Sequence, residues 1–169
     1  MIEKLIRDVP DFPKPGILFK DITPLLQNSQ GLAETISRLE RAVPPSSYDL
    51  VCGIESRGFI FGTALALKAS KGFIPIRKPG KLPYKTASES YELEYGKDTL
   101  EIHIDAVSRG QRILIVDDLL ATGGTMAAAV KLLTGLGAVP VAAAVVIELT
   151  FLKGRERLGS LAVHSLIRY

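Results

Sequence analysis

Gln111-Arg112-Ile113-Leu114-Ile115-Val116-Asp117-Asp118-Leu119-Leu120-Ala121-Thr122-Gly123-Gly124-Thr125 is the stretch on which the fold turns. Its apolar, β-branched centre, Ile113 to Val116, predicts a strand over 111–116 that is buried on both faces. Two adjacent carboxylates mark the end of that strand. A loop of small residues follows, and then a helix that runs to about Gly137. A strand with no polar face belongs in a parallel sheet covered by helices, because only there is neither side wetted.

The flanking sequence repeats the pattern. Apolar runs at 49–54, 73–77, 139–147 and 161–167 predict further strands, and Leu100, Ile102 and Ile104 alternate as a half-solvated strand would. Leu32, Ile36, Leu39 and Val43 follow the helical period, with Ser29 as the expected N-cap and Pro44-Pro45 as the stop. A second helix is expected over 58–71 with Gly72 at its C-cap, and a short one over 152–158. Residues 10–28, rich in proline and turn formers, read as an ordered loop. Residues 78–98 hold Pro79, Gly80, Pro83 and Gly96 with few apolar anchors, and so read as a long irregular loop of the kind that serves as a lid. The expected architecture is α/β: a mainly parallel, twisted sheet with helices on both faces, in one domain spanning 1–169.

Composition narrows the function classes. The chain has 169 residues, 47% apolar and 23% charged, which excludes a disordered or fibrous protein. A net charge of +3 carries no clustered basic stripe of the kind nucleic acid selects. The one cysteine, Cys52, lies in a buried strand pattern and excludes an intrachain disulfide. The N-terminus lacks the apolar core of a signal peptide, and the most apolar run, 138–147, is too short to span a bilayer. A cytoplasmic protein is expected. His103 and His164 carry no metal-ligand spacing, and Met126 falls on the core face of its helix.

In an open parallel sheet, ligands bind where strand C-termini meet helix N-termini. At that edge Gly123 and Gly124 let backbone N–H groups converge on an anion. Thr122 and Thr125 add hydroxyls, and the helix start adds a favourable field for phosphate. Asp117 and Asp118 would repel a phosphate, so they suit a neutral or cationic group beside it: sugar hydroxyls or a hydrated cation. The pattern also admits a plain reading as a solvated turn with an acidic cap. A phosphorylated sugar uses every residue of it. A second loop, Gly53-Ile54-Glu55-Ser56-Arg57-Gly58, puts a guanidinium between a strand end and a helix start, where it can hold an anion bidentately.

The segment from Val116 to Thr125 resembles the phosphoribosyl-pyrophosphate motif of the type I phosphoribosyltransferases. Further stretches resemble the adenine phosphoribosyltransferase branch: Pro10-Asp11-Phe12-Pro13, Phe19-Lys20-Asp21-Ile22, Glu55-Ser56-Arg57-Gly58-Phe59, Arg77-Lys78-Pro79-Gly80-Lys81, Leu93-Glu94-Tyr95-Gly96-Lys97 and Glu148-Leu149-Thr150. The resemblance covers nearly the whole chain in order. It implies transfer of phosphoribose to adenine, giving AMP and pyrophosphate, with Mg²⁺ carried through substrate and water rather than by protein ligands.

It also implies site roles. Arg57, Arg77, Lys78, Lys81, Asp117, Asp118 and Ala121 to Thr125 would hold phosphoribosyl pyrophosphate. Leu18, Phe19, Lys20 and Leu149 would hold adenine, with residues 1–28 as a hood. Residues 78–98 would close as a lid bearing Glu94, a catalytic group with Arg57; Tyr84, Tyr91 and Tyr95 could cover a ring or exclude water. A non-proline cis peptide is implied near Glu55–Ser56, and a homodimer, with the segment around Phe59 and Phe61 as a contributor. The family commonly has arginine where this chain has Lys20, which bears on base choice. Two other functions fit less of the pattern: transfer to hypoxanthine or guanine, and a non-catalytic phosphoribosyl-pyrophosphate sensor that regulates transcription. The sensor would need a DNA-binding module for which the chain leaves no room.

Overall fold

The structure is a computed structural model that describes residues 2–93 and 96–169. Its contacts divide the chain into two compact units, one up to Arg38 and one from Leu39 to Tyr169.

In the first unit, β1 (Arg7–Pro10) pairs antiparallel with β2 (Leu18–Asp21), in register Arg7↔Asp21 to Pro10↔Leu18. A short helix, α1 (Thr23–Gln27), follows. The expected loop over 10–28 is therefore largely a hairpin and a helical turn. The prolines lie in the connection or at the element ends: Phe12–Pro13 is cis, and Gly16 donates its N–H to the Asp11 carboxylate at 2.8 Å. Cross-strand ion pairs, Arg7–Asp21 and Lys20–Asp8 (both 2.6 Å), replace the apolar alternation that would have revealed the strands. The next helix, α2 (Ser29–Ala42), is capped by Asn28 rather than Ser29, since the Asn28 carboxamide oxygen accepts the Gly31 N–H at 2.7 Å.

The second unit is built on five parallel strands: β3 (Leu50–Ile54), β4 (Gly72–Ile76), β7 (Arg112–Leu120), β8 (Val139–Glu148) and β9 (Ala162–Arg168), in the order β4-β3-β7-β8-β9. Strand alternation gives the sheet two apolar faces. Cys52, Ile54, Ile74, Ile76, Ile115 and Val145 pack with α4 (Gly124–Gly135), whose Met126, Ala129 and Leu133 are buried in the same cluster. On the other face α3 (Arg57–Lys68) approaches closely over Gly53, where a side chain would collide with the Phe73 ring. Helix α3 ends through Ala69 and Ser70 (φ +54°), not at the expected Gly72, which opens β4. The segment over 152–158 forms 3-10 turns at Thr150–Leu152 and Gly154–Leu158.

The expected lid loop is half strand. β5 (Thr86–Glu92) and β6 (Lys97–His103) form an antiparallel hairpin, with Ala87↔Ile102 and Tyr91↔Asp98 in register. Its sequence hides this because β5 is mostly polar; Leu100 and Ile102 of β6 supply the buried face. An isolated bridge, Arg77↔Glu101, ties the hairpin to the end of β4. No helix among the described residues is long and apolar enough to cross a membrane.

Candidate active site

β7 runs two residues past the aspartates, to Leu120, so Asp117 and Asp118 are strand residues on opposite sides of the chain rather than the start of a loop. The loop proper is Ala121–Gly123. Gly123 takes φ +84°, a conformation that favours glycine, and turns the chain into α4. The first N–H groups of that helix have no partner within it and carry its positive end.

A cleft of about 400 Å³ opens over this turn. It is lined by Arg57, Lys78, Asp117, Asp118 and Ala121 to Thr125, so most of the residues expected to hold phosphoribosyl pyrophosphate share one wall. Arg77 and Lys81 are not in that lining. They pair instead with Glu55, which is: Lys81 Nζ lies 2.5 Å and Arg77 Nε 3.7 Å from its carboxylate, and the Lys78 N–H donates to it at 2.5 Å. The peptide bond from Glu55 to Ser56 is cis, where the resemblance implied one.

The aspartates and Glu55 are held in opposite electrostatic states. Burial, and then the charge of Asp118, push the Asp117 carboxyl well up from its ordinary range. Asp118 is also raised by burial, against the pull of Arg57, whose Nε sits 2.7 Å away. At Glu55 burial works upward too, but the Lys81 ammonium and the Lys78 N–H outweigh it and hold the group low. Burial likewise raises the Cys52 thiol, which removes it as a nucleophile.

Two lining residues were not singled out from the sequence for what they do here. The Tyr91 hydroxyl accepts from Thr125 at 3.1 Å and donates to Asp98 at 3.1 Å, and Asp98 pairs with Lys78. The sequence offers Tyr91 as a ring cover; in the structure its hydroxyl joins the hairpin to Thr125, at the start of α4. The signal for Asp98 lies in the hairpin register, which places it opposite Tyr91. Glu94 and Tyr95 lie outside the described residues.

The residues expected to hold the base are Leu18, Phe19 and Lys20 of the first unit and Leu149 of the second. In the first, Phe19 stacks edge-on against Phe12 at 5.1 Å, Leu18 is half exposed, and Lys20 pairs with Asp8. In the second, Leu149 follows β8, half-buried, with its N–H on the Leu120 carbonyl at 2.9 Å. Phe61 is wholly buried in the core, which removes it from any interface.

A family model described as a phosphoribosyl transferase domain matches residues 19–160. The chain belongs to the phosphoribosyltransferase family. Within that family it is 58% identical to the adenine phosphoribosyltransferase of Acidobacterium capsulatum, over 99% of this chain and 93% of the relative. The solved adenine phosphoribosyltransferase of Thermoanaerobacter pseudethanolicus superposes with a TM-score of 0.97 at 51% identity, covering 99% and 98% of the two chains. The Saccharomyces cerevisiae enzyme, solved with an imino-altritol bisphosphate and adenine, gives 0.92 at 42% identity, covering 98% and 96%. The fold is thus that of the type I phosphoribosyltransferases, as the sequence implied.

Mg²⁺, which phosphoribosyltransferases generally use, can be tested against the donors. Among the described residues no group of three or more His, Cys, Asp or Glu could hold a metal. The cleft does offer two adjacent carboxylates, and magnesium is commonly bound by one or two carboxylates plus substrate phosphates and water. The donor set fits an ion that arrives with a phosphorylated substrate.

Proposed function

We propose that this chain transfers the 5-phosphoribosyl group of phosphoribosyl pyrophosphate to adenine, forming AMP and pyrophosphate in purine salvage. The observation that carries the reading is the cleft in which an aspartate pair on β7, with Asp118 buried, adjoins a glycine turn and a helix N-terminus. A ribose 5-phosphate needs both features at that spacing: donors for its phosphate and acceptors for its diol.

In this reading Ala121 to Thr125 seat the 5′-phosphate, and Asp117 and Asp118 accept the ribose hydroxyls. Breaking the bond between C1 and the pyrophosphate oxygen puts positive charge on the sugar and negative charge on the leaving group. Arg57, Lys78, Lys81 and Arg77 supply cations for the pyrophosphate, and the aspartates lend negative potential to the sugar. Bound magnesium would neutralise further phosphate charge. The purine N9 forms the new bond and loses its proton, a transfer assigned to Glu94. Leu18, Phe19, Lys20 and Leu149 hold the base. The chain acts as one catalytic domain, with residues 1–28 as a hood and 78–98 as a lid that excludes water.

We place the enzyme in the cytoplasm, with a homodimer as the working unit. Ile60 and Leu67, exposed and seven residues apart on α3, present an apolar stripe suited to a second copy. Sedimentation equilibrium tests the dimer: a single species of twice the chain mass is expected, and a monomer at micromolar concentration contradicts it. Turnover of adenine, hypoxanthine and guanine, with and without magnesium, tests the reaction. Magnesium-dependent AMP formation with adenine as the strongly preferred base is expected. Preference for either oxopurine, or no turnover at all, overturns it.

A further inference from the structure

One charged cluster, centred on a buried glutamate, plays no part in the chemistry above. Glu148, the last residue of β8, is 3% exposed. Its carboxylate accepts from Arg155 Nε at 2.5 Å, Arg155 Nη2 at 2.7 Å and the Ser165 hydroxyl at 2.6 Å, with Arg168 Nε at 3.5 Å. Arg155 Nη1 also donates to the Val163 carbonyl at 2.7 Å. Replacing such a cluster with apolar side chains is often neutral or stabilising, so stability alone is a weak reason for having it.

A better reason lies one residue away. Gly154, which precedes Arg155, sits against the phosphate loop so closely that a Cβ added to it would run into the Ala121 carbonyl oxygen. A Cβ added at Gly123 would in turn run into the Gly154 carbonyl. The two glycines let the backbones touch, and the turn at Gly154 is the floor beneath Ala121–Gly123. That turn is a short 3-10 segment between Lys153 (φ +54°) and Gly159 (φ +58°). The Arg155 fork, gripping Glu148 and Val163 from β8 and β9, is its polar anchor.

We propose that Arg155, held by Glu148 and Ser165, is a positioning residue for the 5′-phosphate subsite. The proposal rests on the reading of Ala121 to Thr125 as the phosphate cradle. Its effect is confined to one substrate. Leu149, beside Glu148, is fixed independently by backbone bonds: its N–H reaches Leu120 at 2.9 Å, and Tyr169 bonds Glu148 and Thr150 at 2.9 and 2.8 Å. Loosening Arg155 therefore shifts the cradle and leaves Leu149 in place.

Arg155→Lys keeps the charge but loses the fork. It is expected to weaken binding of ribose 5-phosphate, measured by calorimetry, and to raise the KM for phosphoribosyl pyrophosphate about tenfold, with the adenine KM changed less than about twofold. Ser165→Ala, which removes one hydroxyl and no charge, moves the same two readouts in the same direction by about threefold and serves if the lysine variant does not fold. Variants that bind ribose 5-phosphate as tightly as the wild type overturn the proposal, whatever their thermal stability. So does a parallel rise in both KM values. If the wild type itself binds no ribose 5-phosphate, the cradle reading fails first and takes this one with it.

Discussion

Asp117–Asp118 and Glu55 line the same cleft from adjacent strands, β7 and the end of β3, yet their surroundings treat charge in opposite ways. The aspartates are adjacent, largely withdrawn from water and served by one guanidinium, so both carboxyls are raised. Glu55 meets two cations and a backbone N–H, and its carboxyl is lowered. In the proposed reading, the difference suits one cleft to a substrate with a neutral diol at one end and a polyanion at the other. The β7 floor is short of cations and waits for hydroxyl donors. At the β4 rim, cations are in surplus and are balanced by carboxylates, Glu55 for Lys81 and Asp98 for Lys78, that a pyrophosphate can supplant.

The comparison breaks most visibly if the floor is neutralised. Asp118→Asn removes the proposed diol acceptor and the Arg57 partner together, and kcat/KM for phosphoribosyl pyrophosphate should fall about a hundredfold in steady-state assays. The acid limb of the pH profile comes next. A raised carboxyl loses its acceptor charge at a higher pH than an ordinary one. As pH falls through that range, kcat/KM should drop about tenfold per pH unit, beginning above the usual carboxylate pKa of about 4. A limb confined to pH below 4 would break the comparison.

At the rim the expected sign is reversed. Glu55→Gln frees Lys81, so pyrophosphate should bind about threefold more tightly at low salt by calorimetry, an advantage that added salt erodes. The smallest effect is on stability. Because the Asp117 pKa is raised on folding, its ionised form is the costly one, and the pair's contribution is intact in acid and lost as pH rises through the raised value. Asp117→Asn keeps the oxygen that accepts the Asp118 N–H at 2.8 Å. It should therefore raise Tm at pH 7 by about 2–4 °C, for roughly 1 kcal/mol of relief, and the gain should vanish near pH 3.

The parallel sheet and the glycine turn were legible because apolar strands and paired glycines are local signals: Ile113–Val116 and Gly123-Gly124 state their environment in a few residues. β1, β2 and β5 were not, because polar strands such as Thr86–Glu92 acquire their buried face from a partner, here Leu100 and Ile102. The same limit applies within the site. Asp117, Asp118 and Arg57 stand at strand and helix ends that the sequence marks. Tyr91 and Asp98 meet Thr125 and Lys78 only through hairpin register, and the pairing of Lys81 with Glu55 spans 26 residues. Sequence left Phe61 open between interface and core, since an aromatic on a helix looks the same whether it faces the sheet or a partner; the structure buries it.

Calorimetric titration of AMP and of its 2′,3′-dideoxy analogue into the wild type and Asp118→Asn reads the meeting of aspartate and ribose directly. If the β7 carboxylates hold the diol, the wild type should bind the dideoxy analogue about tenfold more weakly than AMP, and the variant should bind the two nearly alike. The same discrimination in both proteins would mean that the aspartates do not touch the sugar.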